Sequence, residues 1–442
     1  MKFLTILMSK LIILAGKICH KGSSLPGKFA LKINKNIFKY FKMPKTIIAV
    51  TGSSGKGSTS STIANVLRQN GYRVVHNESG ANLLYGILTL LLENSNLHGE
   101  IDADIIVYEV DERYTKYVFK EVKPNYVIIT NITRDQPPRQ GNTDIVANEI
   151  KKALTNDMHL ILNGDEPNLR QFVQENEVTY YGIAKNKYSY KVSKFNSLNT
   201  NYCPNCHSKL EYNYYDFEDS GDYYCPKCDF KRPQIEYLVE KIDYDKCYIK
   251  INGTTVNIPY NILFAITNIA AAFTVCSLLG ISNDKIGISI NNIYKNKKLL
   301  NKYNYKNRSI TILNNKNENS STFNQSLLYV SRFKGQKVIL IGWKEISRRY
   351  KFDDLSWLYD IEFELLKKEE IEKIICVGIN RYDIATRLKY ADLEDKVVTF
   401  EKLDEATQYI ENKTRGSIYA IVNFDYVQPF YDLMSEGENK WK

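Results

Sequence analysis

One glycine-rich turn constrains the fold more than any other feature: Thr51-Gly52-Ser53-Ser54-Gly55-Lys56-Gly57-Ser58-Thr59. Before it, residues 46–51 form a short apolar run, the pattern of a strand buried in a parallel sheet. After it, residues 58–70 place Ile63, Val66 and Leu67 at helical spacing. In such a strand–turn–helix unit, backbone N–H groups and the helix N-terminus converge on phosphate oxygens. Lys56 then neutralises the outer phosphates of a nucleotide, and a hydroxyl beyond it coordinates Mg²⁺. The common pattern has that hydroxyl directly after the lysine. Here Gly57 stands there, so Ser58 or Thr59 must supply it. The expected phosphate-binding set is therefore Gly52, Ser53, Ser54, Gly55, Lys56, Gly57, Ser58 and Thr59.

Further apolar runs at 73–76, 105–110, 126–130 and 159–163 alternate with helical patterns. That alternation implies a doubly wound parallel sheet with the turn at its C-terminal edge. Glu109 and Glu112 end the run at 105–110, on the same edge, and are the first and second candidates for the Mg²⁺ carboxylate. Arg134 and Asp135 follow the next strand and are candidates for phosphate contact and for metal or water positioning. Residues 261–280 read as a helix whose Ala270, Ala271 and Ala272 allow close packing. Residues 291–308 are rich in Lys and Asn and read as a linker. Beyond them, strands at 338–341, 374–377 and 420–422 among helices predict a smaller C-terminal α/β domain.

Between about residues 188 and 237 the composition shifts to Tyr, Asn, Asp and Cys, as in an insertion. Cys203 and Cys206 form one Cys-x-x-Cys pair, and Cys225 and Cys228 another. Four thiolates at this spacing fit one tetrahedral Zn²⁺ and leave no open position, so the site is read as structural. His207 adjoins Cys206 as a bystander. Cys19, Cys247, Cys276 and Cys376 are scattered in mostly apolar contexts, which suggests a reducing compartment. The formal charge of +10, from 60 basic and 50 acidic residues in 442, is small for this length. It argues against dedicated nucleic-acid binding and suits an anionic ligand or a membrane surface. Residues 1–16 are apolar but interrupted by Ser9 and Lys10, too short and broken to span a bilayer. They read as an amphipathic helix with Phe3, Ile6, Leu7, Leu11 and Leu14 on one side, and a peripheral membrane contact is the other reading.

Together these pieces resemble the Mur ligase family and, within it, the MurT-type subunits of lipid II isoglutaminyl synthase. The resemblance runs through Leu25-Pro26-Gly27, the glycine turn, Asn77-Glu78-Ser79-Gly80-Ala81-Asn82, and Glu109-Val110-Asp111-Glu112. It continues through Asn163-Gly164-Asp165-Glu166-Pro167, the four cysteines and Asp354-Leu355-Ser356-Trp357. It implies a helical N-terminal segment (1–43), a central ATP-binding domain (44–300) carrying the ribbon (188–237), and a C-terminal α/β domain (301–442). It also implies that ATP phosphorylates the α-carboxylate of D-glutamate in lipid II. Ammonia from a separate class I glutaminase of the GatD type, its partner in a heterodimer, then gives D-isoglutamine in the cytoplasm, with the inner face of the membrane as a candidate place. Lys56 and Glu109 would serve the phosphoryl transfer, Asn268 would contact adenine, and Asp354 would complete the partner's catalytic triad. The Lys56-Gly57-Ser58 ending is similar to the folylpolyglutamate synthase branch. Ala265 and Lys297-Lys298 depart from the pattern around the nucleotide. An amino-acid ligase with another carboxylate acceptor and a catalytically weakened scaffold for a glutaminase therefore stay open as alternatives.

Overall fold

The computed structural model describes residues 2–18, 24–78, 80–133, 143–196, 200–259, 262–295, 301–313, 319–344 and 355–435. The first elements are α1 (Lys2–Ile18), α2 (Leu25–Ile33), β1 (Thr46–Thr51), α3 (Lys56–Gln69), β2 (Val74–His76) and α4 (Leu84–Asn94). Next come β3 (Ile105–Glu109), α5 (Thr115–Glu121), β4 (Tyr126–Ile129), α6 (Thr143–Lys151), β5 (His159–Asn163) and β6 (Val178–Ile183). The hairpin β7 (Glu211–Phe217) and β8 (Ser220–Tyr224) precedes β9 (Tyr237–Asp243), β10 (Tyr248–Ile251) and β11 (Thr254–Asn257). Helices α7 (Leu263–Leu278) and α8 (Asn283–Lys295) follow.

The first sheet has the order β11-β10-β9-β6-β5-β4-β1-β3-β2 and is parallel from β2 to β9, with β10 and β11 antiparallel at the edge. The chain leaves β1 for one side of the sheet and returns to build the other side from β4 onward. The C-terminal end of β1 is thus the switch point where such sheets open a crevice. Pairing sets the register: Val50 lies opposite Glu109 and Thr51 opposite Ile129. Ile47 and Ala49 face one apolar layer with α4, α5 and α6, while Ile48 and Val50 face the other with α3 and α7. With both faces covered, the strands are apolar at nearly every position.

The second sheet begins at β12 (Asn301–Tyr305) and β13 (Arg308–Leu313), then α9 (Ser320–Ser331), β14 (Lys337–Trp343), β15 (Ile371–Gly378) and α10 (Arg381–Tyr390). It ends with β16 (Val397–Phe400), α11 (Leu403–Lys413), β17 (Ser417–Val422) and α12 (Phe424–Leu433). Its order is β12-β13-β17-β14-β15-β16, parallel except for the β12–β13 pair. The expectation of a linker at 291–308 is therefore corrected. Its first residues close α8, with Tyr294 buried on Thr62, and β12 is an edge strand, where a polar sequence is tolerated.

The N-terminal helix forms as expected, but the apolar side read for it is divided between core and solvent. Ile6 is buried beside Thr5 and Ser9, whereas Phe3, Leu11 and Leu14 face solvent. The Ser9 hydroxyl donates to Thr5 O at 2.8 Å, so this small, half-polar side packs without an unsatisfied group. Both sides of the helix carry apolar residues, and periodicity alone cannot choose between them.

Candidate phosphate site and cysteine centre

The turn after β1 is shaped by two glycines in left-handed backbone, Gly52 at φ 122° and Gly55 at φ 86°. A Cβ at Gly52 would lie 2.3 Å from Thr130 Oγ1, and one at Gly55 would lie 2.2 Å from Asn268 Oδ1. Neither position admits a side chain. The strand-end residues after β4 hold the turn in place. Ser54 N donates to Asn131 Oδ1 at 3.0 Å, Asn131 Nδ2 donates to Ser54 O at 3.0 Å, and Thr130 Oγ1 donates to the same carbonyl at 2.6 Å. Ser53 N donates to Asn131 O, and Thr133 N donates to Ser53 Oγ. Thr130, Asn131 and Thr133 thus act as a clamp, which sequence reading did not single out. Asn268, expected at the adenine, here closes against the N-terminus of α3 through Gly55.

Lys56 Nζ folds back over the turn, donating to Gly52 O at 2.5 Å and to Glu112 Oε1 at 2.8 Å. Glu112 is buried; burial pushes its carboxyl up, and the Lys56 ammonium opposes that push. Glu112 is therefore the lysine's anchor, which parts it from the second metal-ligand role expected of it. Glu109 sits differently. Asn77 bonds its backbone on both sides, accepting from Glu109 N at 2.9 Å and donating to Glu109 O at 3.0 Å. Its carboxylate lies between two glycines: a Cβ at Gly57 would be 3.0 Å from Oε2 and one at Gly80 3.3 Å from Oε1. A carboxylate packed between two positions without side chains, at the N-terminus of α3, fits a cation bound to phosphate. Of the two hydroxyl candidates, Ser58 is exposed, while Thr59 Oγ1 is buried with no hydrogen-bond partner among the described residues. Arg134, Asp135 and Asp354 lie outside the described residues.

The four cysteines converge. Their sulfur atoms all lie within 4.8 Å of one another, the chemistry and spacing of a four-thiolate metal site. Asn205 N donates to Cys203 Sγ and Lys227 N to Cys225 Sγ, each at 3.4 Å, so both knuckles direct backbone N–H groups at sulfur. Hydrogen bonds from Ser208 draw the Cys206 thiol down to about 6. The ribbon is anchored at its far end by Arg232, whose Nε donates to Asp165 Oδ1 at 2.7 Å, while Ile183 N donates to Asp165 Oδ2 at 2.7 Å. This gives the Asn163–Pro167 motif a structural task.

The hairpin from the ribbon reaches the second sheet. At its tip, Glu218 accepts from Ser321 Oγ at 2.7 Å and from Asn324 Nδ2 at 3.0 Å, both on α9. Asn319, the N-cap of α9, accepts from Thr322 N and donates to Ser54 Oγ at 3.3 Å. Ribbon, α9 and phosphate turn thus form one hydrogen-bonded path. Glu218 is buried, and that burial pushes its carboxyl up to about 7. The folded value lies above the unfolded one, so its stabilising contribution is full below about pH 4.5 and is lost as pH rises through about 7. Glu218→Gln, which keeps the shape and removes the charge, is expected to flatten thermal stability between about pH 4.5 and 7, the interval between the unfolded and folded values. Melting curves of both proteins across that window, with metal saturating, measure the difference.

A cavity of about 260 Å³ opens between residues 186–190, the hairpin and α9, lined by Asp216, Tyr244, Gln325 and Arg332 among others. It shares no residue with the phosphate turn.

Comparison with known proteins agrees with this geometry. Residues 50–214 match the Mur ligase middle domain, and residues 317–426 match the MurT ligase C-terminal family. The chain is 30% identical over 94% of its length, and 94% of the relative's, to the lipid II isoglutaminyl synthase (glutamine-hydrolyzing) subunit MurT of Staphylococcus aureus strain COL. It is 26% identical, over 98% of both chains, to the subunit of the same name from Streptococcus pneumoniae R6. Among solved structures, a pseudomurein peptide ligase type C from Methanothermus fervidus superposes with TM-score 0.70 at 20% identity, covering 90% of this chain and 80% of that one. MurF from Acinetobacter baumannii superposes with TM-score 0.61 at 17% identity, covering 88% and 77%. These two structures establish the fold, and the long sequence match goes further: the chain belongs to the MurT family of Mur ligases.

Proposed function

We propose that this chain is the ATP-dependent ligase subunit of a lipid II isoglutaminyl synthase. The observation that carries this reading is the placement of Lys56 and Glu109 on either side of a clamped turn after β1, in a chain that matches a MurT subunit over 94% of both chains. A carboxylate is a poor acyl donor at neutral pH. Transfer of the ATP γ-phosphoryl group to the D-glutamate α-carboxylate supplies a leaving group, and ammonia displaces phosphate to form the amide. Gly52 to Thr59 would hold the phosphates, with Lys56 swinging from Glu112 to the outer ones. Glu109, with Ser58 or Thr59, would hold Mg²⁺, which supplies charge neutralisation when bound. Asn131 and Asn268 would keep the turn rigid against the nucleotide.

The four cysteines would hold a structural Zn²⁺. Ammonia would come from a class I glutaminase of the GatD type in a heterodimer, with Asp354 orienting the imidazole of the partner's triad. The reaction would take place in the cytoplasm, where the lipid-linked acceptor meets ATP.

Reconstitution with the glutaminase, ATP, glutamine and lipid II tests the assignment. Acceptor-dependent ADP release with amide formation is expected; ADP release that ignores lipid II would sink it. In the same assay Asp354→Asn should lower glutamine-driven turnover and spare turnover driven by free ammonia. Replacing ammonia by amino acids tests the ligase alternative that Gly57 leaves open.

A further inference from the structure

We propose that α1 and α2 form a docking surface for an anionic lipid bilayer. The side of α1 that packs on α2 and α4 carries Thr5, Ile6 and Ser9, and the side facing solvent is apolar. Phe3, Leu4, Met8, Leu11, Leu14 and Ile18 are all exposed, Leu11 and Leu14 at 58% and Ile18 at 74%. At 100° per residue these six fall within an arc of about 140°, a continuous stripe along a helix about 25 Å long. A surface helix normally turns such a stripe to the core. Here the core side is already filled, and α2, packed on α1, exposes Leu25 and Ile33 as well. A patch of this kind marks an interaction surface.

The charge around the stripe selects the partner. The first 45 residues contain ten lysines, no arginine and no acidic residue, which equals the +10 excess of the whole chain. The remaining 397 residues are therefore balanced, and the net positive charge resides in the N-terminal segment that carries this face. Lys28 and Lys32 are exposed one turn apart on α2. Lys10 and Lys17 lie on one flank of the stripe, where both reach Glu93 at the end of α4. An apolar stripe edged by lysines matches acyl chains beneath anionic headgroups, with the ammonium groups at headgroup level. A protein partner would have to supply an apolar groove together with strong negative charge. No described helix is long and apolar enough to cross a membrane, so the contact is one of lying on the surface. The surface is joined to the phosphate site through α4, which starts at Leu84 just beyond Gly80, the glycine facing Glu109. The biological meaning of this docking rests on the lipid-linked acceptor proposed above.

Co-sedimentation of the full chain with vesicles tests it. With vesicles of phosphatidylglycerol and phosphatidylcholine in equal parts, the protein should pellet at low salt and bind at least about tenfold more weakly to phosphatidylcholine alone. The double variant Leu11→Ser/Leu14→Ser should weaken binding to the anionic vesicles at least about tenfold. Its melting curve should be unchanged, because both side chains are already exposed in the folded chain. Lys28→Glu/Lys32→Glu should abolish the preference for phosphatidylglycerol and spare residual binding to neutral vesicles. Protein left in the supernatant with anionic vesicles at low salt overturns the proposal, as does undiminished binding by the leucine variant. So does a dimer in sedimentation velocity that the leucine variant dissolves while vesicles bind nothing, which would make the stripe a self-association face. The vesicles carry no acceptor and the assay consumes no ATP, so failure here leaves the amidation reading standing, and the reverse holds too.

Discussion

Lys56→Met is expected to lower acceptor-dependent ADP release by about a thousandfold, the scale seen when a preorganised charge is removed from a phosphoryl-transfer site. The same change should destabilise the folded chain, because Lys56 is also the charge partner of a buried carboxylate. The Glu112 side chain is 2% exposed and that of Lys56 15% exposed, and their contact measures 2.8 Å. Removing one member of a buried pair leaves the other uncompensated, at a cost of about 3 kcal/mol. The two effects separate in a double variant. Lys56→Met/Glu112→Gln removes the orphaned charge and should recover most of the lost stability, while turnover stays lost. Glu112→Gln alone should keep the fold and slow turnover about tenfold, since the lysine loses its anchor but not its charge. Thermal melts and ADP-release rates on the three variants complete the cycle. If Lys56→Met/Glu112→Gln regains activity along with stability, the lysine is structural and its assignment to the phosphates is wrong.

How far these features could be read from sequence follows from how local their causes are. The phosphate turn is local: Gly52 and Gly55 take backbone that other residues avoid, and an apolar strand and a helix flank them. The four cysteines are legible for the same reason, since two Cys-x-x-Cys knuckles carry their own geometry. The separate surroundings of Glu109 and Glu112 were not legible. Three residues apart at a strand end, both are acidic, and only the approach of Gly57 to one and Lys56 to the other distinguishes them. Asn319 and Glu218 were invisible, because their partners are 265 and 103 residues away. The polar run at 291–308 was misread because an edge strand shows little apolar signal. Which side of α1 is covered was not legible, because packing, and not periodicity, decides between two apolar sides.

Cys225→Ser is expected to release the bound metal and unfold the ribbon while leaving the nine-stranded sheet intact. The ribbon has too little core to stand alone. Its own apolar cluster consists of Cys203, Leu210, Tyr223, Cys225 and Phe230, two of which are the proposed metal ligands. Structural Zn²⁺ in small fingers contributes on the order of 10 kcal/mol, as much as the whole stability of many domains. Loss of the ion should therefore exceed what three remaining side chains can hold. Elemental analysis should find one zinc per chain before the change and almost none after it, and limited proteolysis should then cut within residues 200–230. Cys276→Ser serves as the control, since that thiol is buried in α7 away from the centre and should retain the metal. The consequence should reach the phosphate turn. Once the hairpin loosens, Glu218 no longer accepts from Ser321 and Asn324, and α9 loses one of its supports beside Ser54. Nucleotide affinity should fall about tenfold even though every residue of the turn is unchanged. Equal nucleotide affinity in a metal-free chain with a cleaved ribbon would show that α9 is held by its own sheet, and that the ribbon serves some other end.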